Sequence, residues 1–177
     1  MVTNVKSVLL VDGYNVLGAW PQLTRGRTLN EARDELIHRL SDYAGFTGQR
    51  VILVFDAWQS DATFSSLEHN AALEIVYTAS GETADHFIER TCSELSEKVA
   101  QERIKLRVAS SDGLEQTVVM GRGALRISSR ELIIEMRQAK TSEKRLIDAR
   151  PIKQHPLMSR LPGDVQEKLE QMRRGKI

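Results

Sequence analysis

Residues 8–15, VLLVDGYN, constrain the fold of this chain more than any other stretch. Four apolar residues lead directly into Asp12, and a short apolar run that ends in a turn is typical of a buried strand in a parallel sheet. Gly13 is expected to let the backbone turn sharply where the strand ends. Because open α/β sheets hold ligands beyond the carboxyl ends of their strands, and because an unpaired buried carboxylate is costly, Asp12 is predicted to lie at a functional edge.

Apolar periodicity divides the rest of the chain into alternating strands and helices. Strands are predicted over residues 7–11, 51–55, 73–78, 106–109 and 124–127. Helices are predicted over residues 30–44 with Asn30 as N-cap, over 82–103 with Thr83 as N-cap, from Ser111 or Asp112 to Met120, and after Ser128 or Ser129. Residues 16–29 and 59–72 are predicted as loops, the second with room for a short helix. This alternation indicates an α/β fold with a mostly parallel sheet of four to five strands flanked by helices.

The charge of the chain is divided unevenly along its length. Residues 137–177 carry 11 Lys and Arg against 5 Asp and Glu, whereas residues 1–136 carry 14 against 19. An acidic body with a basic tail suits a metal-dependent enzyme that acts on a polyanion, although a solvated tail has the same composition. We predict a catalytic domain over residues 1–138 and a basic extension over 139–177 with a short helix from Val165 to Arg174.

Several classes of protein are excluded by composition and motifs. The single cysteine, Cys92, rules out an internal disulfide framework and a Cys-rich zinc site. No apolar stretch approaches the ~18 residues of a membrane span, so no membrane partner and a cytoplasmic location are expected. The sequence contains no GxxxxGK[ST], GxGxxG or GxSxG motif.

Acidic residues follow four of the predicted strands and are expected to meet at one edge of the sheet. They are Asp12, Asp56, Glu82 with Asp85, and Asp112. Clustered carboxylates repel at neutral pH and need protons or a cation, and oxygen ligands alone favour Mg²⁺ or Mn²⁺. Such a metal site hydrolyses phosphodiester bonds without a protein nucleophile. The helix dipole for Asp85, a turn for Asp56 and a helix cap for Asp112 are the simpler structural alternatives.

Neighbouring polar and aromatic residues are candidates for supporting roles. Asn15 could orient Asp12 or a metal-bound water, with an Asx turn as the alternative. Ser110 and Ser111 could bind phosphate, or could serve only as caps. Trp20, like Trp58, could stack a nucleobase if it is exposed, or could pack on the core. Five arginines could contact the backbone of a nucleic acid: Arg25, Arg27, Arg122, Arg126 and Arg130.

Five segments in this order, LLVDGYNVLGAW, VILVFDA, GETADHFIE, SSDGLEQ and GRGALRISSREL, resemble the YacP-type NYN-domain proteins. These are PIN-like nucleases of bacteria and chloroplasts, and the similarity covers about residues 5–138. The resemblance implies a PIN-like three-layer α/β fold and a divalent-metal-dependent endoribonuclease. Asp12, Asp85 and Asp112 match the core acids of the family with Asn15 beside them, and Asp56 and Glu82 match supporting positions.

The resemblance also implies partners and a location. One branch of the family acts as a ribosome-associated mRNA endonuclease, so mRNA and the ribosome are the expected partners, in the cytoplasm or, for a plastid member, in the chloroplast stroma. Two other functions stay open. A receiver-like signalling domain would use Asp56 as phosphoacceptor, and a non-catalytic RNA- or ribosome-binding module would not depend on Asp12 or Asp112.

Overall fold

The computed structural model describes residues 6–56, 65–110 and 123–149, together with positions 165 and 172, and gives only the backbone of residues 65–69. The chain forms two compact units, Met1–Glu143 and Lys144–Ile177. The predicted domain boundary after residue 138 stays a prediction. The predicted helix that ends at Met120 lies outside the described residues, and of the predicted last helix only Val165 and Met172 are described, both as helical.

Within the described residues, the first unit is built on a six-stranded sheet in which β1 is central. The strands are β1 (Lys6–Asp12), β2 (Arg50–Phe55), β3 (Ser65–Asn70), β4 (Leu73–Tyr77), β5 (Ile104–Ala109) and β6 (Leu125–Ile127). Their order is β3-β4-β2-β1-β5-β6. β3 is antiparallel to β4, and every other neighbouring pair is parallel. The predicted mostly parallel sheet is therefore confirmed.

Helices cover both faces of the sheet and complete a three-layer arrangement. They are α1 (Gly13–Gly18), α2 (Pro21–Thr24), α3 (Leu29–Thr47), α4 (Ala84–Ala100) and α5 (Ser129–Asp148). Alternate residues of β1 point to opposite faces, so that Leu9 packs with α3 in one core and Leu10 packs with α4 in the other. Cys92, on the apolar face of α4, is buried as predicted. The predicted three-layer α/β fold is confirmed.

The prediction of a loop over residues 16–29 is wrong, because two short helices occupy half of it. Asp12 caps α1 by accepting the backbone N–H of Asn15, and Pro21 begins α2 at a position that needs no N–H. Helices of six and four residues are too short to display an apolar period. The N-cap of α3 is Thr28, which forms a capping box with Glu31, and not Asn30. Within 59–72, residues 65–70 form β3, and residues 59–64 lie outside the described residues.

Gly13 is required for a reason other than the one that the sequence suggests. It begins α1 and does not have the positive φ that Gly48 and three other glycines show. A Cβ atom on Gly13 would overlap the ring of Phe55. The missing side chain therefore lets α1 pack closely on the end of β2, which brings the residues after Asp12 next to those around Phe55.

Candidate active site

Asp12 ends the central strand β1 and lies at the carboxyl edge of the sheet. Its Oδ1 accepts the backbone N–H of Asn15 at 3.0 Å. Burial, joined by the charges of Asp85 and Asp56, raises the pKa of Asp12 from 3.8 to about 6, against the lowering effect of the backbone N–H groups of Asn15 and Tyr14. A pKa shifted by burial and by specific charged neighbours is a mark of functional sites.

Asp56 and Asp85 share this edge with Asp12. Asp56 directly follows β2, and its Oδ1 accepts the backbone N–H of Ala84, the first residue of α4. Asp85 lies in the first turn of the same helix. Asp56 thus fixes the start of α4, which brings Asp85 close enough to act on the Asp12 carboxylate. We call these three carboxylates, Asp12, Asp56 and Asp85, the acidic edge.

Glu82 is in a different electrostatic setting from the acidic edge. Its carboxylate forms an ion pair with Arg90, which lies farther along α4. The charges that raise the Asp12 pKa are those of Asp85 and Asp56. The negative charge of Glu82 is therefore balanced by Arg90, whereas that of Asp12 faces other carboxylates. Its assignment as a metal ligand stays a prediction.

Ser129 is a site residue that the sequence analysis missed. Its hydroxyl donates to Asn15 Oδ1 at 2.8 Å although 114 positions separate the two residues, and its side chain is fully buried at the start of α5. Ser128, not Ser129, caps α5, since it exchanges hydrogen bonds with Glu131. The SS pair in the sequence marks a helix start, but only the packing of α5 against α1 assigns one serine to the cap and the other to Asn15.

The other predicted contact residues are dispersed. Trp20 is 3% exposed and lies in the core, where the guanidinium groups of Arg39 and Arg137 lie over its ring at 5.2 and 5.6 Å. It is therefore not the exposed base-stacking residue that was one prediction, since no face of its ring is open to solvent. Ser110 is also buried, with its N–H bonded to the Ile127 carbonyl. Its predicted role in phosphate binding stays a prediction.

Arg126 lies in β6, and the groove that it lines in the described structure contains no carboxylate of the acidic edge. It lines an open groove of about 320 Å³ beside β6 and α5 together with Arg107, Ile127, Glu131, Ile134 and Glu135. Four residues singled out from the sequence, Asp112, Ser111, Arg122 and Trp58, lie outside the described residues. Of the predicted acids, the structure therefore brings together Asp12, Asp56 and Asp85.

The donors at the acidic edge fit a divalent cation in chemistry and charge. They are carboxylates with no thiol or imidazole among them, as Mg²⁺ and Mn²⁺ prefer, and their mutual repulsion is what a cation would relieve. Over residues 6–56, 65–110 and 123–149, no three His, Cys, Asp or Glu side chains form a group that could hold a metal ion. The described carboxylates thus fit a metal as part of a ligand set, and Asp112 is the further acid that the sequence offers.

The fold and the acidic edge define an α/β domain whose polar residues gather where parallel strands end. The sequence model of the YacP-like NYN domain matches residues 9–174. The chain is 42% identical over 141 residues to the uncharacterized protein YacP of Bacillus subtilis (strain 168), covering 78% of each chain. This chain therefore belongs to the YacP-like NYN-domain family.

Solved structures agree with this family. The crystal structure of Rae1 (YacP) from Bacillus subtilis matches with a TM-score of 0.68 at 35% identity, covering 96% of this chain and 95% of that one. A tryptophan-to-leucine mutant of the same protein matches with a TM-score of 0.67 at 34% identity, covering 93% and 98%. The family model extends to residue 174, so its match continues beyond residue 138 through most of the basic segment.

Proposed function

We propose that this protein is a divalent-metal-dependent endoribonuclease that hydrolyses phosphodiester bonds of RNA. The observation that carries the proposal is the acidic edge, where Asp12 has its pKa raised to about 6 by burial and by Asp85 and Asp56. Membership of the NYN family supports a nuclease-type function that involves RNA. A divalent cation supplies the positive charge that this edge lacks, and it can also bind the oxygens of an RNA phosphate.

Each described residue has a definite part in this proposal. Asp12 and Asp85, with Asp112, would hold a divalent cation, which would supply activation of a water and charge stabilisation of the leaving oxygen. Asp56 positions Asp85 by holding the first N–H of α4. The backbone N–H of Asn15 orients the Asp12 carboxylate, and Ser129 fixes the rotamer of the Asn15 side chain.

The family resemblance extends the proposal to a substrate and a place. We propose mRNA on the ribosome as the substrate, which puts the protein in the cytoplasm, where translation occurs. In the part of the chain that the structure describes, no helix is long and apolar enough to cross a membrane. Asp56 offers little to the receiver-like alternative, because one of its oxygens already accepts the Ala84 N–H.

The test is cleavage of labelled single-stranded RNA with Mg²⁺ or Mn²⁺, with and without translating ribosomes. Wild type is compared with Asp12→Asn, Asp85→Asn and Asp112→Asn, and Asp34→Asn removes an exposed carboxylate of α3 as a control. We expect cleavage by wild type and Asp34→Asn only, and none with chelator. Calorimetric titration with Mn²⁺ should show binding that Asp12→Asn weakens, independently of activity.

Two outcomes would contradict the proposal. Cleavage that persists in Asp12→Asn and in the presence of chelator would exclude the metal site as its source. If no condition gives cleavage while wild type and all variants bind ribosomes equally, the protein is a non-catalytic RNA- or ribosome-binding module.

A further inference from the structure

The carboxyl edge of the sheet has a second side, which carries aromatic rings and one cation. Phe55 and Tyr77 end the neighbouring strands β2 and β4, and Tyr14 lies in α1, two residues after the end of β1. The Tyr14 and Phe55 rings meet edge to face with centroids 5.2 Å apart, and the Phe55 and Tyr77 rings stack at 5.8 Å. All three rings pack with the core that faces α3, whereas Asp85 belongs to α4 on the opposite face.

Arg33 of α3 joins this row of rings. Its Nη1 donates to the Tyr14 hydroxyl at 3.4 Å, its Nη2 contacts Asn30 Oδ1, and its guanidinium carbon lies 6.0 Å from the centre of the Phe55 ring. The side chain is half-buried. Its contacts in the described structure are thus made with neutral groups.

This environment distinguishes Arg33 from other arginines of the same unit. Four of them pair with carboxylates: Arg39 with Glu35, Arg50 with Glu74, Arg90 with Glu82 and Arg107 with Glu135. Over residues 6–56, 65–110 and 123–149, no ion pair is found for Arg33. Partial burial of a cation without a counter-ion is unfavourable, and two of the five N–H donors of the guanidinium serve neutral acceptors. The fold therefore holds a guanidinium in place with capacity left for an anion.

We propose that Arg33 and the Tyr14 hydroxyl bind a phosphate of the RNA strand next to the bond that is cut. The inference rests on the proposed function and names two positioning residues for it. Tyr14 is two positions from Asp12, and the Phe55 ring beneath Arg33 immediately precedes Asp56. A strand that lies across the carboxyl edge would meet the acidic edge on the α4 side and the guanidinium on the α3 side. The planar fork of an arginine matches phosphate oxygens, and a phosphate is the anion that such a strand supplies.

The rings explain why the guanidinium lies there. The overlap that any Cβ on Gly13 would make with Phe55 shows that α1 and β2 are in close contact, and this contact sets Tyr14 against the Phe55 ring. The ring face and the Tyr14 hydroxyl then hold the guanidinium plane in one orientation. Arg33 is thus ordered before RNA binds, which lowers the entropic cost of the contact.

The experiment compares Arg33→Gln and Arg33→Lys with Arg39→Gln in the full-length protein. Arg39 is a matched control, because it lies on the same helix and over an aromatic ring but is paired with Glu35 at 2.6 Å. Binding of a short fluorescent single-stranded RNA is measured in EDTA over a salt series, and KM and kcat are measured with Mn²⁺. Thermal unfolding of each variant reports whether it is folded.

We expect Arg33→Gln to raise Kd and KM about tenfold while kcat changes less than about threefold, as for the loss of one charge-assisted hydrogen-bonded contact. The slope of log K against log salt should decrease by about 0.7, the value for one phosphate of a single strand. Arg33→Lys should keep the salt slope and recover part of the affinity, and Arg39→Gln should bind like wild type.

The results separate this inference from the proposed function. If wild type binds and cuts RNA, and Arg33→Gln does both as well as Arg39→Gln, the phosphate contact is refuted and the nuclease stands. A kcat that falls while KM and the salt slope are unchanged would also refute it, because Arg33 would then support the acids instead of the strand. If wild type neither binds nor cuts RNA, either as the free strand or as mRNA on translating ribosomes, both proposals fail.

Discussion

Two polar clusters on this sheet differ in whether the chain compensates the negative charge of their carboxylates. In the cluster of Glu135, Arg107 and Tyr43, Arg107 Nη2 lies 2.8 Å from one oxygen of Glu135 and the Tyr43 hydroxyl donates to the other at 3.0 Å. Burial, and then the neighbouring Glu135 charge, raise the pKa of Tyr43, so the phenol stays a donor. Every charge in this cluster has a partner that the chain supplies.

The acidic edge has no such compensation in the described structure. Asp12 is surrounded by like charges on Asp85 and Asp56, and only backbone N–H groups oppose the rise of its pKa. A paired carboxylate adds to folding stability, whereas a buried carboxylate among others subtracts from it. The difference suggests that the Glu135 cluster stabilises the fold and that the acidic edge binds a ligand. The following predictions test this contrast.

The largest expected effect is on cleavage. Asp12→Asn should reduce kcat by about 10³-fold, because a metal supplies several kcal/mol of charge stabilisation and each ~1.36 kcal/mol is tenfold in rate. Asparagine can still cap α1, so the loss should not come from unfolding. Glu135→Gln is the control and should keep kcat within about twofold when the rate is expressed per folded molecule. An equal loss in both variants would remove the functional distinction between the clusters.

Asp12 should also make the metal-free protein less stable at neutral pH than at acidic pH. Its folded-state pKa, about 6, lies above the ordinary 3.8, so the folded state keeps a proton that the unfolded state releases between these values. Stability therefore falls as pH rises through this window and stays lower above it. The shift corresponds to at most about 3 kcal/mol. Urea unfolding in EDTA should show Asp12→Asn to be more stable than wild type at about pH 7.5 by about 1–3 kcal/mol.

Two controls accompany this measurement. The stability difference between wild type and Asp12→Asn should shrink towards zero as the pH falls well below 3.8, because the carboxyl is then protonated in both the folded and the unfolded state. At about pH 7.5, Mn²⁺ should stabilise wild type more than Asp12→Asn, because only wild type has the full carboxylate set. A wild type that is already the more stable of the two in EDTA would show that Asp12 is compensated after all.

Breaking the paired cluster should have a smaller effect with the opposite sign. Arg107→Met is expected to cost about 1–2 kcal/mol, since it leaves Glu135 with only the Tyr43 hydroxyl and both charges are partly screened by solvent. Arg50→Met removes the partner of Glu74, an arginine that is more exposed than Arg107. This variant should cost less than about 0.5 kcal/mol. Urea unfolding measures both. If the two variants are equally stable, the Glu135 cluster contributes no more than a surface ion pair.

The smallest expected effect concerns Ser129. Ser129→Ala removes the donor to Asn15 Oδ1 and should lower kcat about fivefold, as for about 1 kcal/mol of lost orientation. Ser128→Ala removes the helix cap instead and should cost about 1 kcal/mol of stability with kcat unchanged. Cleavage assays and urea unfolding on both variants give the comparison. A loss of activity in Ser128→Ala of the same size would mean that the position of α5, and not the serine hydroxyl, controls Asn15.

Elements with a strong pattern were predictable from the sequence. The buried strands β1, β2 and β4 appear as continuous or alternating apolar runs, and α4 shows its period of Ile88 and Cys92 with Thr83 as the cap. Elements without a period were missed, among them α1, α2 and the edge strand β3. The positions of α1 and α2 depend on packing against α3, and that of β3 depends on pairing with β4. Neither interaction can be predicted from the residues of the element itself.

The sequence by itself determined that Asp12, Asp56 and Asp85 lie at one edge of a parallel sheet. Each of them comes after an apolar strand, and the carboxyl ends of parallel strands lie at the same edge of the sheet. Only the tertiary structure decided which groups are compensated, since that depends on distances across helices. It placed Trp20 in the core, paired Glu82 with Arg90, joined Ser129 to Asn15 across 114 positions, and set Arg33 against Tyr14. Apolar patterns specify where strands end, whereas side-chain packing specifies which charges meet there.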